Sequence, residues 1–440
     1  MRKPDPFWIK YLPIYFQKKI SGRAVVHAVI HNSGWLIADK IFRAFLGLFV
    51  GAWVARYLGP AEFGTLSYVI AYIAFFQAFS ALGLETIVIR EIARYPRLAP
   101  SLLGSALLMR ICSSLIAFLV ATATVGLFYG WDSQLFWITV IISSSLAFQA
   151  GDTVDLWFQS QSRNRLTVIV KLAAYVASNA LKIIGILLAA PLVYFAALVT
   201  VEVMLIMVGL VISYKKNPAA GDWNASRSVM KKLFMESWPF LLSGVCVIMY
   251  MRFDQILIKS FLGEASLGVY AAALPIASVW NALPVAICAG IAPFLARIRL
   301  QNPAKYKQVL QLIFKYLFMF SLLLSVLIGL FSDAIIDTLY GPAYVDASMV
   351  LRVYIYTSIP VFLGVAQNLW ITNEGRSVAA LKNTLLGGVC AISMNFILIP
   401  QFGLVGAAMA AVIAYFASAV VGNFFFCREL FLLQMGLKNK

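Results

Sequence analysis

Eight ionisable residues stand deep within otherwise apolar stretches: Asp39, Lys40, Arg43, Arg110, Lys182, Glu202, Arg252 and Asp254. An ionised side chain in hydrocarbon costs roughly 2.5–3.5 kcal/mol on insertion scales, so such residues face a wet cavity or a partner. Guanidinium groups make bidentate, charge-assisted hydrogen bonds to phosphate. Arg43 and Arg252 are therefore the first candidates for holding an anionic substrate and Arg110 the third, with Lys40 and Lys182 as added point charges. The competing role for each is a salt bridge inside the bundle, or snorkelling to the interface. Asp39, Asp254 and Glu202 are the candidates for a coupling proton or sodium ion, because desolvation makes reversible protonation of a carboxylate accessible. Asp39 and Arg43 share a helix face at i, i+4, so a permanent ion pair is an equal reading for Asp39. Arg252 and Asp254, two apart, do not share a face as closely. Asp152 and Asp155 are expected to pair with Arg163 or Arg165. Lys171, Lys315 and Arg352, a turn or two from span ends, are expected to snorkel.

Other chemistries find little support. Cys112, Cys246, Cys288, Cys390 and Cys427 all fall in apolar segments without a CxxC or Cys/His cluster, which reads as packing rather than disulfides or metal. His27 and His31 have no partners at metal-ligand spacing. Walker A, HExxH and GxSxG motifs are absent from the sequence, which argues against ATP-driven transport by this chain alone and against those hydrolases. No cofactor is expected beyond a coupling ion.

The elements that must position these residues are membrane spans. Of 440 residues, 62% are hydrophobic and 12% charged, against about 45–50% and about 25% in soluble domains. A span needs about 20 mostly apolar residues. Twelve windows qualify: 33–57, 64–85, 101–128, 134–157, 166–189, 192–213, 236–261, 268–291, 309–331, 348–370, 378–399 and 404–427. Short breaks at Pro191 and Pro400 separate two of the pairs, and Pro275, Pro284 and Pro293 should bend the eighth span. Residues 1–32 are basic, aromatic and proline-interrupted, which suits a segment lying on the membrane surface rather than a cleaved signal peptide.

A net charge of +17 invites nucleic acid, but its distribution excludes that reading. With the N-terminus in the cytoplasm, Lys and Arg concentrate on alternate loops, among them Arg90, Arg94 and Arg97, then Lys215, Lys216, Lys231 and Lys232. The opposite loops carry only Arg56 and Lys259. This is the positive-inside pattern, with attraction to anionic membrane lipids as a side effect. It predicts both termini inside.

The chain also repeats itself. Leu58-Gly59-Pro60-Ala61-Glu62-Phe63-Gly64 returns as Leu262-Gly263-Glu264-Ala265-Ser266-Leu267-Gly268, and Leu156-Trp157 with Arg163 returns as Leu369-Trp370 with Arg376. Span 1 thus corresponds to span 7 and span 4 to span 10, a parallel repeat about an axis along the membrane normal. The predicted organisation is an N-lobe over 33–213, a linker over 214–234, a C-lobe over 235–427 and a tail over 428–440. Gly47-x-x-x-Gly51 adds a close-packing signal on span 1.

Ala55-Arg56-Tyr57-Leu58-Gly59-Pro60-Ala61-Glu62-Phe63-Gly64, Gly83-Leu84, and Ile89-Arg90-Glu91-Ile92-Ala93-Arg94 resemble the polysaccharide transporter family of Wzx-type flippases. So do Leu339-Tyr340-Gly341-Pro342-Ala343-Tyr344 and Asn395-Phe396-Ile397-Leu398-Ile399-Pro400-Gln401-Phe402-Gly403. The resemblance implies an all-α, MATE-like, V-shaped membrane fold. It also implies movement of undecaprenyl-pyrophosphate-linked oligosaccharide from the cytoplasmic to the periplasmic leaflet of a bacterial inner membrane, in company with other polysaccharide-assembly proteins. Under that implication Arg43, Arg252, Arg110, Lys40 and Lys182 would meet pyrophosphate or acidic sugar. A MATE-type exporter of small cations is the main competitor, and the excess of deep bases over deep acids counts against it. A membrane enzyme of polysaccharide assembly is the third reading. It usually needs a large catalytic external loop, whereas the longest here, 332–347, has no Arg, Lys or His.

Overall fold

The structure is a computed structural model. It describes the backbone of residues 24–161, 163–219 and 221–437, and their side chains except at 24–39, 250 and 377. The surface-segment reading of the N-terminus, His27, His31 and the side chain of Asp39 lie outside the described residues.

The described chain is helical, without a strand. Its first half comprises α1 (Ala24–Ala81), α2 (Glu85–Arg94), α3 (Ala99–Tyr129), α4 (Gln134–Ser143), α5 (Ser145–Gln149), α6 (Asp152–Ser160), α7 (Asn164–Leu187) and α8 (Leu192–Lys216). The second comprises α9 (Arg227–Leu262), α10 (Glu264–Ser278), α11 (Ala282–Gln301), α12 (Pro303–Leu330), α13 (Ser332–Tyr340), α14 (Ala347–Tyr354), α15 (Ser358–Glu374), α16 (Ser377–Phe416), α17 (Gly422–Phe426) and α18 (Arg428–Gln434).

Among the described residues, ten segments are long and apolar enough to cross a membrane, the longest being Lys40–Arg94 with 55 residues and Val378–Phe426 with 49. At 1.5 Å per residue, either would measure roughly 70–80 Å as one straight rod, against about 30 Å of hydrocarbon. Both are broken by a glycine in the left-handed region, Gly59 at φ 74° and Gly403 at φ 58°. Counted as two each, they restore the twelve expected crossings. Large apolar side chains such as Leu127, Phe128, Leu187 and Leu330 point outward, as lipid-facing positions must. The chain is a multi-pass membrane protein.

The sequence repeat is a structural repeat. Gly59 and Gly263 both adopt positive φ, 74° and 86°. Arg163 and Arg376 both precede a long helix, and their amides bond to equivalent carbonyls, Phe158 at 2.8 Å and Ile371 at 3.0 Å. The fourth span breaks around Ser143–Ser145 and its counterpart, the tenth, at Ile355–Thr357. In the eighth span the break falls at Val279–Asn281, between Pro275 and Pro284.

One apolar core joins the halves at one end, running from Leu48 and Val69 through Leu257 and Tyr270 to Tyr344 and Ala407. At the basic end the cores separate. Leu84, Leu103 and Leu156 form one around the first half, and Leu295, Phe314 and Trp370 another in the second. Lobes that share a core at one end and keep separate cores at the other make a V, with α9 still tied to α2 at the far end by Arg90–Glu236 at 2.5 Å and Lys232–Glu91 at 2.9 Å. Parts of the segment 214–234 belong to the helices on either side. Helix α8 runs to Lys216, α9 starts at Arg227, and the connection between them is sewn to the first lobe. Trp157 Nε1 donates to the Asn217 carbonyl at 3.1 Å, and the Ser226 amide to Ser105 Oγ at 3.1 Å.

Candidate functional site

Arg43 and Arg252 lie on α1 and α9, the equivalent spans of the two halves. At 1.5 Å per residue they sit about 24 Å and about 16 Å from the turn glycines Gly59 and Gly263, so their depths are staggered. The Arg43 guanidinium lies over the Tyr175 ring, 5.3 Å from its centroid, and Tyr175 Oη donates to the Arg43 carbonyl at 3.0 Å. Gly47 makes room for that phenol: a Cβ there would collide with the Tyr175 hydroxyl, whereas Gly51 faces open space. The expected GxxxG packing is thus a seat for one side chain. Lys40, one turn from Arg43, is exposed, and Arg252 is half-buried with no ion pair among the described residues.

The other predicted residues are held by partners. Lys182 and Glu202 approach each other at 3.9 Å on α7 and α8. Asp254 is buried on α9, accepting from Tyr270 Oη at 2.5 Å and from the Gln255 amide at 2.8 Å. Arg110, 3% exposed, reaches Glu85 at 3.9 Å.

Two sequence expectations are corrected. Asp155 and Asp152 pair with Lys171, at 2.5 and 3.6 Å, while Arg163 bonds to Asn217 Oδ1 at 3.1 Å. Lys171 therefore does not snorkel. In the α6–α7 hairpin, residues at similar distances from the turn face each other at one depth, a signal present in the sequence. Arg352 reaches Asp333 at 2.7 Å.

The V closes on a seam built from the repeated motif. A Cβ on Gly64 would land on the Glu264 carbonyl, and one on Gly268 would land on the Pro60 carbonyl. Thr65 Oγ1 donates to Glu264 at 3.1 Å. The Lys259 ammonium, its side chain 8% exposed, lies 3.7 Å from the Tyr129 ring centroid, 4.6 Å from that of Tyr68 and 3.9 Å from Glu264. Tyr344 is fully buried and donates to the Ala55 carbonyl at 2.6 Å. Burial pushes its phenol well above the ordinary range, so it remains a donor. Arg56 lies against Gly341. The two bases expected on the outer loops, Arg56 and Lys259, are thus both seam residues.

The second lobe holds an uncharged polar cavity of about 290 Å³, lined by Asn281, Gln367, Asn368, Asn383, Thr384, Tyr415 and Ser418 among apolar neighbours. An amide relay stiffens its wall. Asn383 Nδ2 donates to Asn423 Oδ1 at 2.6 Å, and Asn423 Nδ2 to Gln367 Oε1 at 2.9 Å. A π-helical turn over Ala417–Val421 borders it, a feature frequent at functional sites. Sequence reading missed this cavity because it weighed charges and passed over amides.

Known structures share this architecture. A multidrug resistance transporter of the MATE family, in its inward-facing conformation, superposes with a TM-score of 0.68 at 18% identity, over 89% of this chain and 96% of that one. The lipid II flippase MurJ, in an inward closed conformation, gives 0.72 at 14% identity, over 91% and 90%. The fold is that of the MATE-like membrane transporters. Residues 29–299, more than half of the chain, match the polysaccharide biosynthesis protein family, and the chain belongs to it. Among curated relatives, an uncharacterized membrane protein of Methanocaldococcus jannaschii is 22% identical over 419 residues, 88% of this chain and 82% of its own length. The capsular polysaccharide biosynthesis protein CapF of Staphylococcus aureus is 20% identical over 213 residues, 48% of this chain and 53% of its own.

Proposed function

We propose that the protein is a flippase that carries undecaprenyl-pyrophosphate-linked oligosaccharide from the cytoplasmic to the periplasmic leaflet of a bacterial inner membrane, by alternating access coupled to an ion. Both termini are cytoplasmic in this reading, which turns the open end of the V toward the cytoplasm. The observation that carries it is the amide-lined cavity of about 290 Å³ whose lining holds no carboxylate and no basic side chain. Amides and hydroxyls both donate and accept, which matches sugar hydroxyls, whereas a cation exporter needs a carboxylate there. Lys40 and Arg43 toward the open end, and Arg252 deeper, suit pyrophosphate.

Proteoliposomes loaded with lipid-linked oligosaccharide extracted from the host test this directly. Wild type should expose the sugar to an added lectin, and Arg43→Ala or Arg252→Ala should slow that exposure about tenfold or more. Extrusion of ethidium with no movement of sugar would sink the flippase reading in favour of a multidrug antiporter.

A further inference from the structure

Buried polar atoms without partners gather at one place in the first lobe. Fourteen described side chains hold such an atom, and six of them lie in one region: Ser80, Arg110, Ser114, Ser145, Gln149 and Asp155. Two cavities meet there, sharing Gln149 and Asp152. The larger, about 170 Å³, is lined by Gln77, Ser145, Gln149, Asp152 and Lys171, with Val203, Ile206 and Met207 of α8 closing it. The smaller is lined by Ser80, Glu85, Arg110 and Ser114. Ser145 is 1% exposed, and its unpartnered hydroxyl belongs to the larger cavity.

Arg110 reaches Glu85, whose side chain is 66% exposed, while Lys171 alone stands within ion-pair distance of both Asp152 and Asp155. The helices α1 and α8 add no titratable group to the cavity walls. The two aspartates thus share one cation at ion-pair distance, beside buried oxygens of Ser145, Gln149 and Asp155 that lack partners. The fourth span is broken here into α4, α5 and α6, with tight turns from Ser144 to Ala147 and from Phe148 to Gly151. The connecting residues Ser144, Ala150 and Gly151 keep right-handed helical φ/ψ, so the span is tightened into i→i+3 turns rather than unwound, and such mid-helix turns often mark functional hinges.

We propose that this cluster binds one monovalent cation, H+ or Na+, on the Asp152–Asp155 pair, and that it is the coupling site of the transport proposed above. Lys171 already neutralises one of the two carboxylates, and the incoming cation neutralises the other. A proton adds to a carboxylate oxygen from water and leaves the same way. Sodium takes the carboxylate together with the unpartnered oxygens of Ser145 and Gln149. The proposal rests on the flippase reading for its purpose but not for its binding chemistry.

The full chain in lipid nanodiscs, with no glycolipid added, provides the test. Equilibrium binding of radioactive sodium and proton uptake after an acid pulse are measured in parallel. Saturable sodium binding identifies Na+, and proton uptake without it identifies H+. Asp155→Asn should weaken binding about tenfold or more, Lys171→Gln should tighten it by a similar factor, and Asp333→Asn, at an exposed ion pair elsewhere, should leave it unchanged. The opposite signs matter, because a merely structural ion pair would lose from either change. Wild type that binds neither cation, or an Asp155→Asn protein that binds like wild type, overturns the site. Loss of binding in Lys171→Gln does the same. Cation binding without lectin-detected movement of oligosaccharide would keep the site and remove the flippase reading.

Discussion

Tyr344 couples the halves through a single atom. Its hydroxyl reaches the Ala55 carbonyl across the seam while the ring is wholly buried. Tyr344→Phe should lower stability by about 1 kcal/mol, visible as a drop in melting temperature in detergent. An unchanged melting temperature would mean that the bond contributes nothing net. At Arg43 the planar guanidinium stacks on Tyr175, and Lys cannot reproduce a stacked, bidentate group. Arg43→Lys should therefore keep less than about half of wild-type lectin exposure in proteoliposomes, and full activity would show that charge alone suffices. Single-residue reading found Lys182, Glu202, Arg252 and Asp254 because a charge in an apolar run is conspicuous. It could not find their partners, since Lys182–Glu202 and Asp254–Tyr270 depend on which helices neighbour each other.

Helical elements were legible almost throughout, because twelve apolar runs with turn residues between them leave few alternatives in a bilayer. The linker was the exception. It is polar, yet Asn217 and Ser226 bond to Trp157 and Ser105 of the first lobe, and Trp223 bonds to Tyr214 at the end of α8. The glycine crossing yields the sharpest prediction at this scale. Gly268→Val puts carbon where the Pro60 carbonyl stands, so the second and eighth spans can no longer close. Thr65, buried at the seam, reports this. In a cysteine-free background, Thr65→Cys should react with an impermeant maleimide about tenfold faster when Gly268→Val is present. Equal rates would show that the seam closes without the glycine.

Across the whole molecule, the bases proposed for pyrophosphate come from both lobes and the amide cavity from one. Lys40 and Arg43 belong to the first lobe, and Arg252 and the amide cavity to the second. Asn368→Leu removes an exposed amide from that cavity and leaves the Asn383–Asn423–Gln367 relay intact. It should weaken binding of a polyprenyl pyrophosphate bearing sugar about tenfold, while binding of the sugar-free polyprenyl pyrophosphate stays unchanged. Equal loss for both probes would place the defect in folding rather than in sugar contact. The V itself was legible only as a resemblance, since a repeat in sequence says that two halves are alike but not at which end they touch. The seam supplies that knowledge and carries a historical consequence. Gly64 meets the residue four before Gly268, and Gly268 meets the residue four before Gly64. That reciprocity is the signature of an isologous contact. A half-length ancestor bearing one copy of the motif could have paired with its twin through the same surface before fusion, and neither glycine can now be exchanged by offering a smaller side chain opposite, because what stands opposite is main chain.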